Sequence, residues 1–102
     1  MSEHYFEQYS TNKSENTLET FRFEINSIDT DILKLLDKRM KISKKIGDYK
    51  KSNNIQVLDK SREKIVIDNL VSKNSNMNLN LNEELIKNLW NNIMSYSKNI
   101  QN

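Results

Sequence analysis

Arg39 and Lys50 stand eleven residues apart in the sequence. On a helix this is three turns, which puts them within about 20° of one another and about 16 Å apart along one face. Two long cationic side chains so placed can converge on a small molecule lying between them. Asp59, Arg62 and Glu63 fall within a single helical turn, and Ser97 and Gln101, at i and i+4, put a hydroxyl and an amide on one face. The chain has no Cys, and its one histidine is His4. Thiolate nucleophiles, Cys-ligated zinc, histidine triads and His-cluster metal sites are therefore excluded. Gly47 is the sole glycine, so there is no Gly-rich phosphate loop. The remaining groups suit a polar cavity lined by cations and shaped for a small polyanion.

Each of these residues also has a plainer reading. Arg39 could sit in an internal ion pair or snorkel to solvent, and Lys50 could be a solvated charge near a helix end. Asp59-Lys60-Ser61-Arg62-Glu63 could be a cap with surface pairs, while Ser97 and Gln101 could be exposed positions on a fraying terminus. Trp90 reads as core and His4 as tail. Gly47 costs about 1 kcal/mol against Ala inside a helix, which points to close approach of another backbone or a ligand. Lysine occurs thirteen times and arginine only three, with no alanine and abundant Asn and Ile. Against that bias each arginine needs a reason, because guanidinium offers carboxylates a planar fork that an ammonium cannot copy.

The elements that must position these groups are helical. With 102 residues, 35% hydrophobic and 29% charged, the chain has room for one modest core. Without Pro, and with a single Gly, it lacks the punctuation of hairpins. From Leu18 the spacing alternates threes and fours through Phe21, Ile25, Ile28, Ile32, Leu35, Arg39, Ile42, Ile46 and Tyr49, a seam packed along its whole length with one charged slot. Such a helix runs about 50 Å, against a radius of gyration of about 13 Å for a compact domain of this size. Its stripe would stay wet unless covered by a second copy, so a homodimer is expected.

Lys51 to Gln56 reads as a loop, and Asp59 as the N-cap of a short helix reaching Ser72, with Val66 and Leu70 on one face. Asn82 caps a third helix with Glu83 and Glu84 in its first turn and Ile86, Trp90, Ile93, Ser97 and Gln101 as its stripe. The expected fold is all-α: three helices, long, short and medium, intertwined with a second copy as a helical dimer. Residues 1–17 form a polar N-terminal tail ahead of a helical domain over 18–102.

Net charge is +2, but seven acids lie in residues 1–31 and eight bases in residues 32–51. No apolar run approaches the ~20 residues of a membrane span, and the N-terminus lacks a signal-peptide stretch. A cytoplasmic protein without membrane attachment is expected.

The order and spacing of these residues resemble the all-α class of chorismate mutase, from Leu18 to Gln101. The carriers are Arg22-Phe23-Glu24-Ile25 with Ile28-Asp29, then Ile32-Leu33 with Leu35-Leu36-Asp37-Lys38-Arg39. They continue in Ile46-Gly47-Asp48-Tyr49-Lys50, in Val57-Leu58-Asp59-Lys60-Ser61-Arg62-Glu63, and in Ser97 with Gln101. The resemblance implies a [3,3] rearrangement of the dianion chorismate to prephenate, in aromatic amino acid (Phe/Tyr) biosynthesis, with no nucleophile, metal or cofactor. It further implies that Arg39 and Arg22 clamp the two carboxylates, Arg22 coming from the partner subunit. Lys50 and Gln101 would donate to the ether oxygen, and Ser97 would help hold a carboxylate. Glu63, with a backbone N–H near Asp59, would take the ring hydroxyl, and Arg62 would brace that corner. Phe21 stands where the family usually has Leu, and Asn26 where an acid is common. With only one residue after Gln101, its turn is expected to fray until a ligand orders it.

Two other readings stay open. The same scaffold could serve an isochorismate pyruvate lyase or an aminodeoxychorismate mutase. A Lys-rich helix, net +6 over residues 32–51, could instead make a non-enzymatic module binding nucleic acid or protein, although the resemblance implies no nucleic-acid partner.

Overall fold

The computed structural model describes residues 13–102, all helix and connections, with no strand among them. The helices are α1 (Lys13–Ser52), α2 (Lys60–Asn76) and α3 (Glu83–Gln101). The expected order of long, short and medium holds. His4 and most of the expected tail lie outside the described residues, and α1 begins five residues ahead of Leu18. The chain divides into two compact units, one ending at Lys38 and the other spanning Arg39–Asn102.

In the first unit, α1 carries Glu15 in its opening turn, where the helix dipole favours an acid. Thr20 and Thr30 fit its interior by donating their hydroxyls to the carbonyls of Asn16 and Asn26, four residues back. Leu18, Phe21, Ile25, Ile28, Ile32 and Leu35 are all exposed, from 46% at Leu18 to 66% at Leu35. The apolar seam exists in this unit, and its side chains are exposed among the described residues.

The second unit opens with the last fourteen residues of α1. Here a second face comes into play beside the apolar stripe. Ile42, Ile46 and Tyr49 remain 47%, 43% and 64% exposed, whereas the buried residues of this segment are Ser43 and Gly47. The inner face of α1 runs through Arg39, Met40, Ser43, Gly47 and Lys50, about a third of a turn from the aliphatic stripe. Small and polar residues allow α3 to approach there, leaving the branched residues on the flank.

Both interhelix turns use asparagine where glycine is usual. Asn54 and Asn78 adopt positive φ, 53° and 55°. At each, the following N–H reaches back five residues, Ile55 to Lys50 O at 2.8 Å and Leu79 to Asn74 O at 2.9 Å. This closes the helix end with a left-handed residue that Asn tolerates better than other side chains. Helix α2 therefore runs four residues past the expected stop at Ser72. The Asn74 side chain pairs both backbone groups of Leu81, at 2.7 and 3.2 Å, tying the α2–α3 connection.

Asp59 and Asn82 are N-caps as their sequences indicate. Asp59 accepts from Arg62 N, and Asn82 from Glu84 N and Leu85 N. Helix α2 packs on α3 with Val66 and Leu70 half-buried, while α3 turns Ile86, Met94, Ser97 and Gln101 inward. Trp90 and Ile93 of the expected stripe are half-buried. Among the described residues, buried polar side chains outnumber buried apolar ones, Ser43, Ser97 and Gln101 against Ile86 and Met94. An interior so polar is costly unless its groups are bonded, and those bonds define the site.

Candidate active site

The site is built where α1, the α1–α2 loop, the first turn of α2 and the last two turns of α3 meet within the second unit. They enclose a cavity of about 320 Å³, at the small end of the range for small-molecule sites. Arg39, Lys50, Asp59, Arg62, Glu63, Ser97 and Gln101 all line it, together with Lys98 and the apolar groups of Ile46, Val57, Val66 and Met94. Seven of the eight residues singled out from sequence therefore share one cavity. Arg22 belongs to the other unit, where its Nη1 donates to Glu19 Oε1 at 2.8 Å and its side chain is 62% exposed. It does not line this cavity.

Two of the lining cations are held by polar atoms and keep donors to spare. Arg39 Nη1 donates to Ser97 Oγ at 2.7 Å, and Ser43 Oγ donates to the same oxygen at 3.1 Å. Ser97 in turn leans on Met40 Sδ at 3.6 Å. Among the described residues the guanidinium thus meets a hydroxyl rather than a carboxylate, and burial lowers its pKa by desolvation. Arginine stays charged even so, and a half-buried cation on a cavity wall is able to take an external anion.

Lys50 Nζ donates to Val57 O at 3.0 Å and to Gln101 Oε1 at 3.2 Å. An ammonium has three donors, and the third remains for a ligand. With its carbonyl oxygen engaged by Lys50, Gln101 keeps its amide N–H groups as donors. Gln101 is helical and only 9% exposed.

The opposite corner rests on the α2 N-terminus. Asp59 Oδ1 is spent on capping, accepting from Arg62 N at 2.9 Å. Glu63 Oε2 meets Lys98 Nζ at 3.2 Å, with both side chains about one-third exposed. Sequence reasoning passed over Lys98, which stands beside the α3 stripe and finds its partner thirty-five residues away. Ser43 was missed too, as a small polar residue next to a stripe of branched ones. Four cationic side chains and two carboxylates line the cavity, a net charge of +2, which matches a dianion.

Comparison with known proteins agrees with this geometry. The chorismate mutase type II family matches residues 21–102. The chain belongs to that family. It is also 44% identical, over 69 residues, to the bifunctional chorismate mutase/prephenate dehydratase of Buchnera aphidicola subsp. Schizaphis graminum (strain Sg). The match covers 68% of this chain and 18% of that relative, so the chain spans under a fifth of the bifunctional protein. No solved structure matches it at a significant level. The chorismate mutase family match takes in α1 from residue 21 onward, all of α2 and α3, and every residue of the cavity. Among the described residues no helix is long and apolar enough to cross a membrane, and no group of three acidic, His or Cys side chains could hold a metal ion.

Proposed function

We propose that this chain is a chorismate mutase that converts chorismate to prephenate in phenylalanine and tyrosine biosynthesis. In the [3,3] shift the ether C–O bond breaks as a C–C bond forms, and no proton or electron leaves the substrate. The protein has to fold the enolpyruvyl arm over the ring and hold it there, and to meet the charge that grows on the ether oxygen with fixed donors. One observation carries the reading: Lys50 and Gln101 are bonded to each other at 3.2 Å in the same small cavity as the carboxylate-free Arg39. Lys50 has a spare N–H and Gln101 a spare amide to aim at one oxygen, while Arg39 takes a carboxylate with Ser97 beside it. Glu63 accepts from the ring hydroxyl, helped by the backbone N–H near Asp59, and Arg62 braces that corner.

The second carboxylate falls to Arg22 of a second copy. The support is the uncovered seam from Leu18 to Leu35, which a partner helix would bury, and the exposed guanidinium of Arg22 carried on it. In this reading the working unit is a cytoplasmic homodimer whose helices intertwine. Residues 1–17 precede the catalytic domain over 18–102, and nucleic acid and membranes play no part.

Incubating the purified protein with chorismate and identifying the product by chromatography tests the reading, with prephenate expected. Salicylate and pyruvate from isochorismate instead would make it a lyase on the same scaffold. Loss of neither substrate would overturn the enzymatic reading altogether.

A further inference from the structure

Gly47 is buried on the inner face of α1, directly under the last turn of α3. A Cβ built there would lie 2.6 Å from Gln101 Cα, 2.8 Å from Gln101 O and 2.9 Å from Gln101 Cβ. Ordinary contact begins at 3.4 Å, and two of the three obstructing atoms are backbone, so no rotamer change could relieve the clash. The turn would have to back away from α1.

That turn holds Gln101 against Lys50. Gly47, Lys50 and Lys51 occupy i, i+3 and i+4, one patch of α1. Each meets the end of α3 differently: Gly47 by the absence of a side chain, Lys50 through Gln101 Oε1 at 3.2 Å, and Lys51 through Asn102 O at 2.8 Å. The patch is a seat that fixes both the depth and the direction of the final turn.

We propose that Gly47 is a positioning residue for the rearrangement. By letting α3 descend onto α1, it sets the separation of the Lys50 and Gln101 donors, and Lys51 clamps the turn from the outer side. The catalytic consequence rests on the chorismate mutase reading, while the geometry does not. The site needs this approach because the Cα and carbonyl oxygen of Gln101 are the atoms nearest Gly47. The placement of the Gln101 side chain over Lys50 therefore depends on what lies beneath its backbone. A displacement near 1 Å in a preorganised site costs about a hundredfold in rate.

The test is a double-mutant cycle of Gly47→Ala and Gln101→Ala with chorismate as substrate. Gly47→Ala should lower kcat by about thirtyfold to a hundredfold while KM moves less than about threefold, because the Arg39 clamp is untouched. In the Gln101→Ala background the same change should add less than about threefold. Losses that multiply, or a Gly47→Ala variant with wild-type kcat, would overturn the proposal.

If Gly47→Ala does not fold, Lys51→Met takes its place, since the Lys51–Asn102 contact is exposed. A several-fold loss of kcat that disappears in the Gln101→Ala background is expected, and an unchanged kcat refutes the seat. A nuclear-magnetic-resonance readout is independent of turnover. The Gln101 side-chain amide, assigned by its loss in Gln101→Ala, should move in Gly47→Ala or Lys51→Met toward the position of a solvated glutamine, while the Ile86 and Met94 methyls stay in place. A stationary amide would also overturn the proposal, even if the wild-type protein leaves chorismate unchanged and the functional reading has failed on its own account.

Discussion

The guanidinium of Arg39 donates to the hydroxyl of Ser97 at 2.7 Å, with burial on one side and an open cavity on the other. A serine neutralises nothing, and the proposed function gives that charge a substrate carboxylate to hold. Arg39→Lys should therefore lower kcat/KM by at least a hundredfold, because an ammonium cannot grip a carboxylate with two parallel bonds. The same measurement at rising salt separates a cavity from a basic surface. Dianion turnover should fall only slightly, whereas nucleic-acid binding would weaken steeply as counterions are released. An Arg39→Lys enzyme of normal efficiency would undo the assigned role.

The same residue should lower stability. Desolvation depresses the Arg39 pKa, so folding is opposed wherever the side chain is charged in both states, and that cost is relieved only as pH rises past the lowered folded value. Arginine remains charged throughout the working pH range, so the cost is constant there and Arg39 adds no pH dependence of its own. Arg39→Met should melt at a higher temperature than wild type without ligand, equally so at pH 6 and pH 8, while losing activity. This is the exchange of stability for function typical of charged sites. A lower melting temperature would mean that the bond to Ser97 outweighs the burial.

Lys50 and Gln101 are expected to act on the rate rather than on binding. Removing one preorganised donor at developing charge costs about 3 kcal/mol, so Lys50→Ala or Gln101→Ala should each reduce kcat at least a hundredfold with a smaller effect on KM. Rapid turnover in both variants would leave the ether oxygen without donors and the mechanism without its main step.

What the sequence made legible, and what it hid, follows from how each residue signals. Asp59 and Asn82 announce helix starts because a short side-chain acceptor before an apolar run has one common use, and both are caps in the structure. Gly47 announced a close approach because a lone helical glycine needs compensation, and Gln101 is what approaches it. The stripe through Ile42, Ile46 and Tyr49 stays exposed in the single chain and says nothing of its interior. The face turned to α3 is made of Ser43 and Gly47, which carry no hydrophobic signal. Lys98 was illegible because its pairing with Glu63 spans two helices, and neither propensity nor periodicity reports such a pair.

Lys98 makes a prediction of its own. Lys98→Met removes one of the four lining cations and releases Glu63 from its 3.2 Å contact. Partly exposed pairs contribute at most about 1 kcal/mol, so the melting temperature should hardly move. KM for the dianion should rise by up to about fivefold, with kcat changed less, and Lys98→Arg should restore it. A large fall in kcat with KM unchanged would instead put Lys98 in contact with the reacting atoms.

The proposed partition of the two clamping arginines between subunits can be tested by mixing. Arg22→Ala and Arg39→Ala should each yield dimers with both sites crippled. When the two proteins exchange subunits, half of the dimers are hybrids, and each hybrid has one site with both arginines intact and one with neither. Activity should return to about a quarter of the wild-type value at equal mixing. The uncovered seam of α1 sets a second requirement, since Ile25→Glu at the centre of that exposed stripe should convert dimer to monomer by light scattering and abolish activity together. If exchange is demonstrated by mass-labelled subunits and no activity returns, both arginines serve a site within one chain, and the seam has some other partner.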